Sequence, residues 1–215
     1  MTGTRARSER DKAARREAIL DAARAAFDHS DFDAFTMDDV AGRLGLVKGT
    51  LYRYFPTREA LLVAVLTDEL GGWFDTVDRA LDAPRPDVVD ALIPPLLARP
   101  RTMRLLAVLP TILEHNVPYE EALAFKEFVL TRCAHTGAAL DAALGAADGE
   151  GARLLLRLNA AVIGLYHGAH PSPVIAAILS GPRFAPLRVD LGDELTHLAT
   201  ALVAVIPRTT KRATR

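Results

Sequence analysis

A glycine between two short apolar patterns is the feature that most constrains the fold of this chain. Before it, apolar residues of the segment FTMDDVAGRL recur three and four positions apart, as on one face of a helix. Gly45 follows, and glycine readily adopts the left-handed backbone that ends helices. The next segment, VKGTLYRYF, places Leu51 and Phe55 on a common side, and Pro56 closes it. Two short helices that meet at a glycine turn are a helix-turn-helix.

Further helices are predicted on both sides of this motif. Apolar residues from about Arg10 to His29 share one face, and a basic arm precedes them. Thr36 has the residue type of an N-cap, with acidic side chains in the following turn, where the helix dipole favours negative charge. Thr57 is a similar cap for a long helix that ends near Asp82.

The rest of the chain also predicts helices, interrupted by proline and glycine, and no stretch alternates as a strand would. The predicted fold class is therefore all-α, in three parts. Residues 1–58 form a three-helix helix-turn-helix domain with the basic arm. Residues 59–207 form a larger helical domain for ligand binding and dimerisation, and residues 208–215 form a basic tail.

Composition limits the classes of partner. The net charge is -1, so any contact with nucleic acid must come from a local patch. The chain has one cysteine, Cys133, which excludes a disulfide within the chain and fits a reducing cytosol. Apolar runs such as Leu158–Tyr166 are too short to span a membrane. We expect a cytoplasmic protein with no membrane partner.

The outer side of the second short helix has residue types that suit DNA. If Leu51 and Phe55 point inward, the polar residues face outward, where a major groove would meet them. Lys48 can donate hydrogen bonds to guanine, and Thr50 offers a hydroxyl and a methyl group. Gly49 permits close approach. The tyrosines of this segment have apolar bodies that pack and hydroxyls that can reach phosphate.

The full string is more specific than these separate features. The segments ILDAARAAF, FTMDDVAGRLGLVKGTLYRYF and PTREALL lie in order within residues 19–66, and they resemble the tetracycline-repressor (TetR) family of bacterial transcriptional regulators. The resemblance implies a homodimer on a palindromic operator in double-stranded DNA, with repression relieved by a small ligand. It implies DNA-binding positions at Thr36, Val47, Lys48, Gly49, Thr50, Tyr52, Tyr54 and Arg58. Val47 stands where many relatives carry Ser or Thr, and Arg58 replaces a commoner lysine.

The same resemblance implies that the last two long helices form a four-helix bundle with a partner chain. Small residues recur four positions apart on the first of these helices, which would let another backbone approach, and leucines line the second. Packing within one chain would explain the same pattern. The residues predicted at the dimer interface are Ala160, Gly164, Gly168, Leu195, Leu198 and Leu202.

An effector pocket is predicted in the larger domain, for a mostly hydrophobic molecule. Prolines at positions 94, 95 and 110 favour an irregular bundle that leaves a cavity. Each aromatic residue there is also a candidate for the ordinary core. The candidate pocket residues are Trp73, Met103, His115, Phe128, Tyr166 and His167.

Other functions have weaker support. His167 and His170 are spaced for one metal, but a third ligand such as His115 or His135 would be needed. Cys133 and His135 point to different faces of a helix, so they do not form a nucleophile and base. We therefore predict no enzyme, no metal site and no cofactor. A DNA-binding regulator controlled by a protein partner, without a ligand, stays open as an alternative.

Overall fold

The computed structural model describes residues 2–29, 32–114 and 116–209, with side chains from residue 9 onward except those of residues 111–114. Within these ranges the chain forms ten α-helices and a short 3-10 helix, Pro182–Leu187, that precedes the last of them. The helices are α1 (Thr2–Asp28), α2 (Met37–Leu44), α3 (Lys48–Tyr52), α4 (Arg58–Leu81), α5 (Val88–Leu97), α6 (Pro100–Glu114), α7 (Tyr119–Leu144), α8 (Glu150–Ala169), α9 (Pro173–Leu179) and α10 (Leu191–Ala204). In the described ranges, extended pairing is limited to one isolated bridge. The all-α prediction is confirmed.

The first helix starts earlier than the sequence predicted. α1 begins at Thr2, whereas apolar periodicity indicated a start near Arg10. The residues before Arg10 have no apolar face, so periodicity could not detect them, and a helix formed by the following residues extends over them at little cost per residue. The side chains of residues 2–8 lie outside the description, as do residues 210–215 of the predicted basic tail.

The described helices divide between two compact units. The first unit comprises residues 1–68 and 108–126, and the second comprises residues 69–107 and 127–215. Helices α4, α6 and α7 each contribute residues to both. In the first unit, α1 packs against α2, and α2 against α3. The rings of Phe27 and Phe35 meet edge to face at 6.0 Å in its core.

In the second unit, α10 packs against both α5 and α8. Its core includes the fully buried side chains of Leu92, Leu105 and Leu140. The chain stays helical through the prolines inside α5 and α6. Among the described helices, none alone has the length and apolarity to cross a membrane, and the pair α8–α9, bent by 77°, meets that test only jointly.

Helices α7 and α8 approach each other closely where glycine faces glycine. A Cβ atom on Gly151 would lie 2.2 Å from the carbonyl oxygen of Gly137, and one on Gly137 would lie 2.8 Å from the backbone nitrogen of Ala152. Asp141 of α7 accepts hydrogen bonds from the backbone N–H groups of Gly149, at 2.7 Å, and Gly151, at 2.6 Å. α7 therefore caps the start of α8 and also packs directly on its backbone.

Candidate nucleic-acid interface

The predicted N-cap of α2 is present. Thr36 has extended backbone, and its Oγ1 accepts a hydrogen bond from the backbone N–H of Asp39 at 3.2 Å. The same hydroxyl donates to Oδ2 of Asp39 at 2.6 Å. Thr36 therefore makes both hydrogen bonds with Asp39 of α2, and the start of that helix explains the position of Thr36.

Gly45 ends α2 as the sequence predicted. Its φ of 61° lies in the left-handed region. Its N–H donates to the carbonyl oxygen of Gly42 at 3.2 Å, and the N–H of Leu46 donates to that of Ala41 at 3.0 Å. These bonds satisfy the last carbonyl groups of α2 and set the direction of the chain into α3.

Two buried side chains anchor α3. Leu51 is fully buried and Phe55 nearly so, as predicted. The helix is only one and a half turns long and ends at Tyr52, before the predicted end at Tyr54. The backbone N–H of Phe55 still donates to the carbonyl of Leu51 at 2.9 Å. A helix this short is marginal alone, so packing against the rest of the first unit must stabilise it.

The opposite side of α3 is exposed to solvent. Lys48 and Gly49 are exposed, Tyr52 is 43% exposed, and Thr50 is half-buried. Val47, which precedes the helix, is 75% exposed and makes no side-chain cap. We call these five residues the exposed face of α3. The described structure thus brings them together, while Tyr54 lies beyond the helix and is half-buried.

Gly49 has no evident role inside the chain. A Cβ atom added there would meet no other atom within 4 Å, apart from its own helix backbone and chain neighbours. Its φ lies outside the left-handed region, where the described glycines are 45, 145 and 149. Neither packing nor backbone conformation therefore requires a glycine at this position, which leaves close approach by another molecule as a reason for it.

The ammonium group of Lys48 pairs with a carboxylate on α2. Its Nζ donates to Oδ2 of Asp38 at 2.8 Å, and both side chains are about half exposed or more. This hydrogen bond to Asp38 is the main cause that raises the pKa of Lys48 above its ordinary value. The pairing of Lys48 with Asp38 was not predicted from the sequence, because the two residues lie on different helices, ten positions apart.

Arg58, predicted to contact phosphate, is held by partners within the chain. Its Nε donates to Oε1 of buried Glu59 at 2.7 Å, and its Nη1 to the carbonyl oxygen of Phe35 at 3.2 Å. The guanidinium also lies 4.8 Å from the centre of the Phe32 ring. These contacts fasten the segment before α2 to the start of α4, a structural role that sequence periodicity could not indicate.

The predicted pocket residues of the second unit have different recorded neighbours. Trp73 is buried, donates from Nε1 to the carbonyl of Leu92 at 3.3 Å, and packs on Phe74, which meets Phe128 edge to face. Met103 is also buried. Tyr166 stacks on His170 with ring centres 4.0 Å apart, while Nε2 of His167 lies 3.2 Å from the carbonyl oxygen of Ala107. His115 lies outside the described residues.

Two cavities of the second unit are described, and both lie elsewhere. One, of about 480 Å³, lies between the end of α8, α9 and residues 188–189. The other, of about 710 Å³, lies between α7 and the start of α8. Neither is lined by a predicted pocket residue.

The predicted dimer residues have different surroundings. Ala160, Gly164 and Leu198 are exposed, and nothing in the chain lies within 4 Å of a Cβ added at Gly164. Leu195, in contrast, is fully buried in its own chain, so the prediction that it contacts a partner is wrong. A Cβ at Gly168 would lie 3.1 Å from Val189 of the same chain. Leu202 is half-buried.

Comparison with protein families accounts for almost all of the described chain. The family described as "Bacterial regulatory proteins, tetR family" matches residues 19–65. The family described as "Tetracyclin repressor-like, C-terminal domain" matches residues 67–204, which is more than half of the sequence. The chain belongs to the TetR family. This family is described as one of bacterial regulatory proteins.

Curated relatives of this TetR-family chain match its N-terminal part. The HTH-type transcriptional repressor KstR of Mycolicibacterium smegmatis is 41% identical over 68 residues, which are 32% of this chain and 31% of that protein. KstR of Mycobacterium tuberculosis is 41% identical over 68 residues, covering 32% and 29%, and KstR of Rhodococcus jostii is 42% identical over 64 residues, covering 30% and 28%. The chain therefore spans under a third of these relatives.

Two solved structures resemble most of the chain. A Streptomyces coelicolor protein described as a transcriptional regulator has 24% identity and a TM-score of 0.49, over 89% of this chain and 98% of that one. A Mesorhizobium loti protein described as a TetR-family regulator has 20% identity and a TM-score of 0.35, over 90% and 96%. The family assignment rests on the family matches and not on these superpositions.

Cys133, His135 and His170 have ordinary structural surroundings in this TetR-family chain. Burial raises the pKa of the half-buried Cys133 thiol, which is opposite to what an activated nucleophile needs. Nδ1 of His170 lies 2.9 Å from the carbonyl oxygen of Tyr166, and Nε2 of His135 lies 3.6 Å from Asp78. In the part of the chain that the structure describes, no three metal-ligating side chains are grouped.

Proposed function

We propose that this protein binds operator DNA through the exposed face of α3 and represses transcription there. The observation that carries the proposal is the arrangement of α3 itself. Leu51 and Phe55 hold the helix on the first unit, and Lys48 and Gly49 are left at the surface. A surface glycine without an internal role, beside a lysine, suits a helix that another molecule must approach closely.

Each residue of this face has a proposed contact. Lys48 donates to O6 and N7 of a guanine, and Thr50 contacts a base or a phosphate. The exposed Val47 offers an apolar contact to a thymine methyl group. The hydroxyl groups of Tyr52 and Tyr54 reach phosphates, which position the helix without reading sequence. Thr36 and Arg58 support the surface from within, through the cap of α2 and the segment before it.

The second part of the proposal is a homodimer formed by α8 and α10. These helices pack on each other, and each has an apolar stripe at its surface. On α8 the stripe consists of Leu156, Ala160 and Gly164. On α10 it consists of Leu198 and Ala201, and it continues with Val205 directly after the helix. Two such pairs can form a four-helix bundle about a twofold axis. A twofold dimer matches a palindromic operator whose half-sites lie about 34–36 Å apart.

The dimer is testable by analytical ultracentrifugation. We expect the native protein to sediment as a dimer and Leu198→Glu to sediment as a monomer, because the new carboxylate would be buried at the interface. Thr196→Glu places the same charge on another face of α10 and should leave the dimer intact. Equal behaviour of both variants would contradict the proposed interface.

The third part is control by a mostly hydrophobic effector in the second unit. α4 contributes residues to both units, so a shift of this helix on effector binding would reach the first unit directly. The effector can weaken operator binding only to the extent that it prefers the shifted state. The alternative is control by a protein partner. A compound screen for release of the operator separates the two, because only effector control predicts release by a small molecule.

The decisive experiment is binding to DNA across a salt series. A duplex enriched from a random-sequence pool serves as the probe, with a scrambled duplex for comparison. We expect tight, selective binding with dimer stoichiometry. Lys48→Ala should weaken the enriched duplex more than the scrambled one, and Tyr52→Phe should weaken both evenly. Lys126→Ala removes the same charge from α7 and is the control. Failure to enrich any sequence, or binding without selectivity, would contradict the proposal.

A further inference from the structure

The pair formed by Asp38 and Lys48 connects the two helices of the motif on the side that α3 exposes. Asp38 lies in the first turn of α2, and Lys48 is the first residue of α3. Their side chains meet at 2.8 Å while 65% and 47% exposed, respectively. The position of the Lys48 ammonium group before DNA arrives is therefore influenced by a residue outside α3.

Within the fold, Asp38 adds a negative charge to the first turn of α2, where the helix dipole favours it, and Asp39 supplies a second one. The cap of α2 is formed by Thr36 and Asp39, which bond to each other. An ion pair this exposed contributes little to stability, because water competes for both charges and salt screens them. An acidic side chain beside a surface that must meet phosphate is also unfavourable in itself. The pairing of Asp38 with Lys48 is the contact that bears on binding.

We propose that Asp38 is a specificity-determining residue that neutralises and orients Lys48, so that Lys48 adds to DNA affinity only where a base edge accepts its hydrogen bonds. This inference rests on the proposed function of α3. It assigns the choice between operator and other DNA to a carboxylate on α2 as well as to the lysine on α3.

An unpaired lysine near DNA raises the affinity for every sequence. A free ammonium group gains affinity for any phosphate by releasing counterions, whatever the sequence. A lysine paired with a carboxylate at 2.8 Å is nearly neutral at a distance, so this general gain is largely lost. The ammonium group has three donors. One can remain on Asp38 while the others reach guanine O6 and N7, so the operator contact is kept.

The test is the variant Asp38→Asn, measured on the enriched and scrambled duplexes from about 50 to 200 mM salt. We expect the scrambled duplex to bind about tenfold more tightly and its log–log salt slope to steepen by about 0.9 per protomer, as one more charge acts on phosphate. Binding of the enriched duplex should change about threefold or less, so the ratio of the two affinities falls. Circular dichroism checks that the variant is folded.

Two controls separate this role from a general charge effect. Asp33→Asn removes an exposed carboxylate from the same unit without releasing Lys48 and should leave the affinity ratio unchanged. In a Lys48→Gln background, Asp38→Asn should no longer lower the ratio, because there is no ammonium group to release. A misfolded Asp38→Asn would be replaced by Asp38→Ser, with the same expected result.

Three results would overturn the inference. The first is an affinity ratio that Asp38→Asn leaves unaltered. The second is a ratio that Asp38→Asn lowers equally in the Lys48→Gln background. The third is a ratio that Asp33→Asn lowers as much as Asp38→Asn does. In each case a native protein that still prefers its enriched duplex keeps the proposed function intact. A native protein without any preference removes the proposed function, and this inference with it.

Discussion

The α2–α3 turn and the α7–α8 crossing both depend on glycine, but for different physical reasons. At the turn, Gly45 has a left-handed backbone, and a Cβ added there would meet no other atom within 4 Å. At the crossing, Gly137 and Gly151 lie inside or at the start of helices, and an added Cβ would collide with the facing backbone. One region requires a backbone conformation, and the other requires space.

This difference decides what each region can tolerate and what a sequence can disclose. A conformational requirement belongs to one residue and its neighbours, so it is visible as a stop in a helical pattern. A requirement for space belongs to a pair of helices and has no local signature. The following tests of this contrast are ordered by the loss of stability expected for the first variant in each, from the largest to the smallest. Each is measured by urea unfolding, followed by far-ultraviolet circular dichroism at one protein concentration.

Gly151→Ala should be the most damaging change. Its Cβ would lie 2.2 Å from the carbonyl oxygen of Gly137, which is backbone and cannot rotate away. Forced separation of α7 and α8 should lower the free energy of unfolding by about 3 kcal/mol. Gly72→Ala, where an added Cβ meets nothing within 4 Å, is the control and should be neutral or stabilising. Similar unfolding curves for the two variants would contradict the requirement for space.

Asp141→Ala removes the cap that α7 provides for α8. Its carboxylate accepts from two backbone N–H groups, so the variant should unfold with about 2 kcal/mol less free energy. Thr36→Ala removes the cap of α2, which accepts from one N–H group, and should cost about 1 kcal/mol. A larger loss for Thr36→Ala than for Asp141→Ala would reverse this order and weaken the interpretation.

Gly45→Ala tests the conformational requirement. An alanine in left-handed backbone should cost about 1–2 kcal/mol. Gly45→Asn should cost less, because asparagine accepts this conformation better than alanine. Gly42→Ala, inside α2 without positive φ or close neighbours, should be neutral or stabilising. If alanine and asparagine at position 45 destabilise equally, the conformational explanation fails.

Gly49→Ala should leave stability nearly unchanged and still impair function. Nothing within the chain obstructs the new methyl group, and the backbone there is ordinary. Under the proposed contact with DNA, the methyl group would meet a base or the sugar-phosphate backbone, so affinity for the enriched duplex should fall at least tenfold. Fluorescence anisotropy measures this fall. Unchanged affinity would show that no molecule approaches Gly49 closely.

The residues predicted correctly from the sequence are those whose environment is local. The cap at Thr36, the stop at Gly45 and the inward Leu51 all depend on bonds or spacings within a few positions of the chain. The wrong predictions concern residues whose environment is set by parts of the chain that are distant in sequence. Leu195 lies on an apolar stripe of α10, but packing on α5 and α8 decides which part of that stripe is buried.

Arg58 shows the same limit within the candidate DNA interface. Its position at the start of α4 suggested contact with phosphate. Besides the adjacent Glu59, its partners come from a segment about 25 positions earlier in the chain. Asp38 was missed for the corresponding reason. The type of surface could therefore be predicted from the motif, while the partners that hold its charged groups could not.

The surroundings of Cys133 have a practical consequence for labelling the protein beside α3. Cys133 is the single cysteine of the chain, and burial raises the pKa of its half-buried thiol, so we expect it to react more slowly with thiol reagents than an exposed cysteine does. A cysteine introduced at the exposed position of Val47 would react much faster. A spin label or dye could then be attached beside α3 without removing any native residue except Val47. In the proposed dimer, the distance between two such labels would report the separation of the two α3 helices in solution.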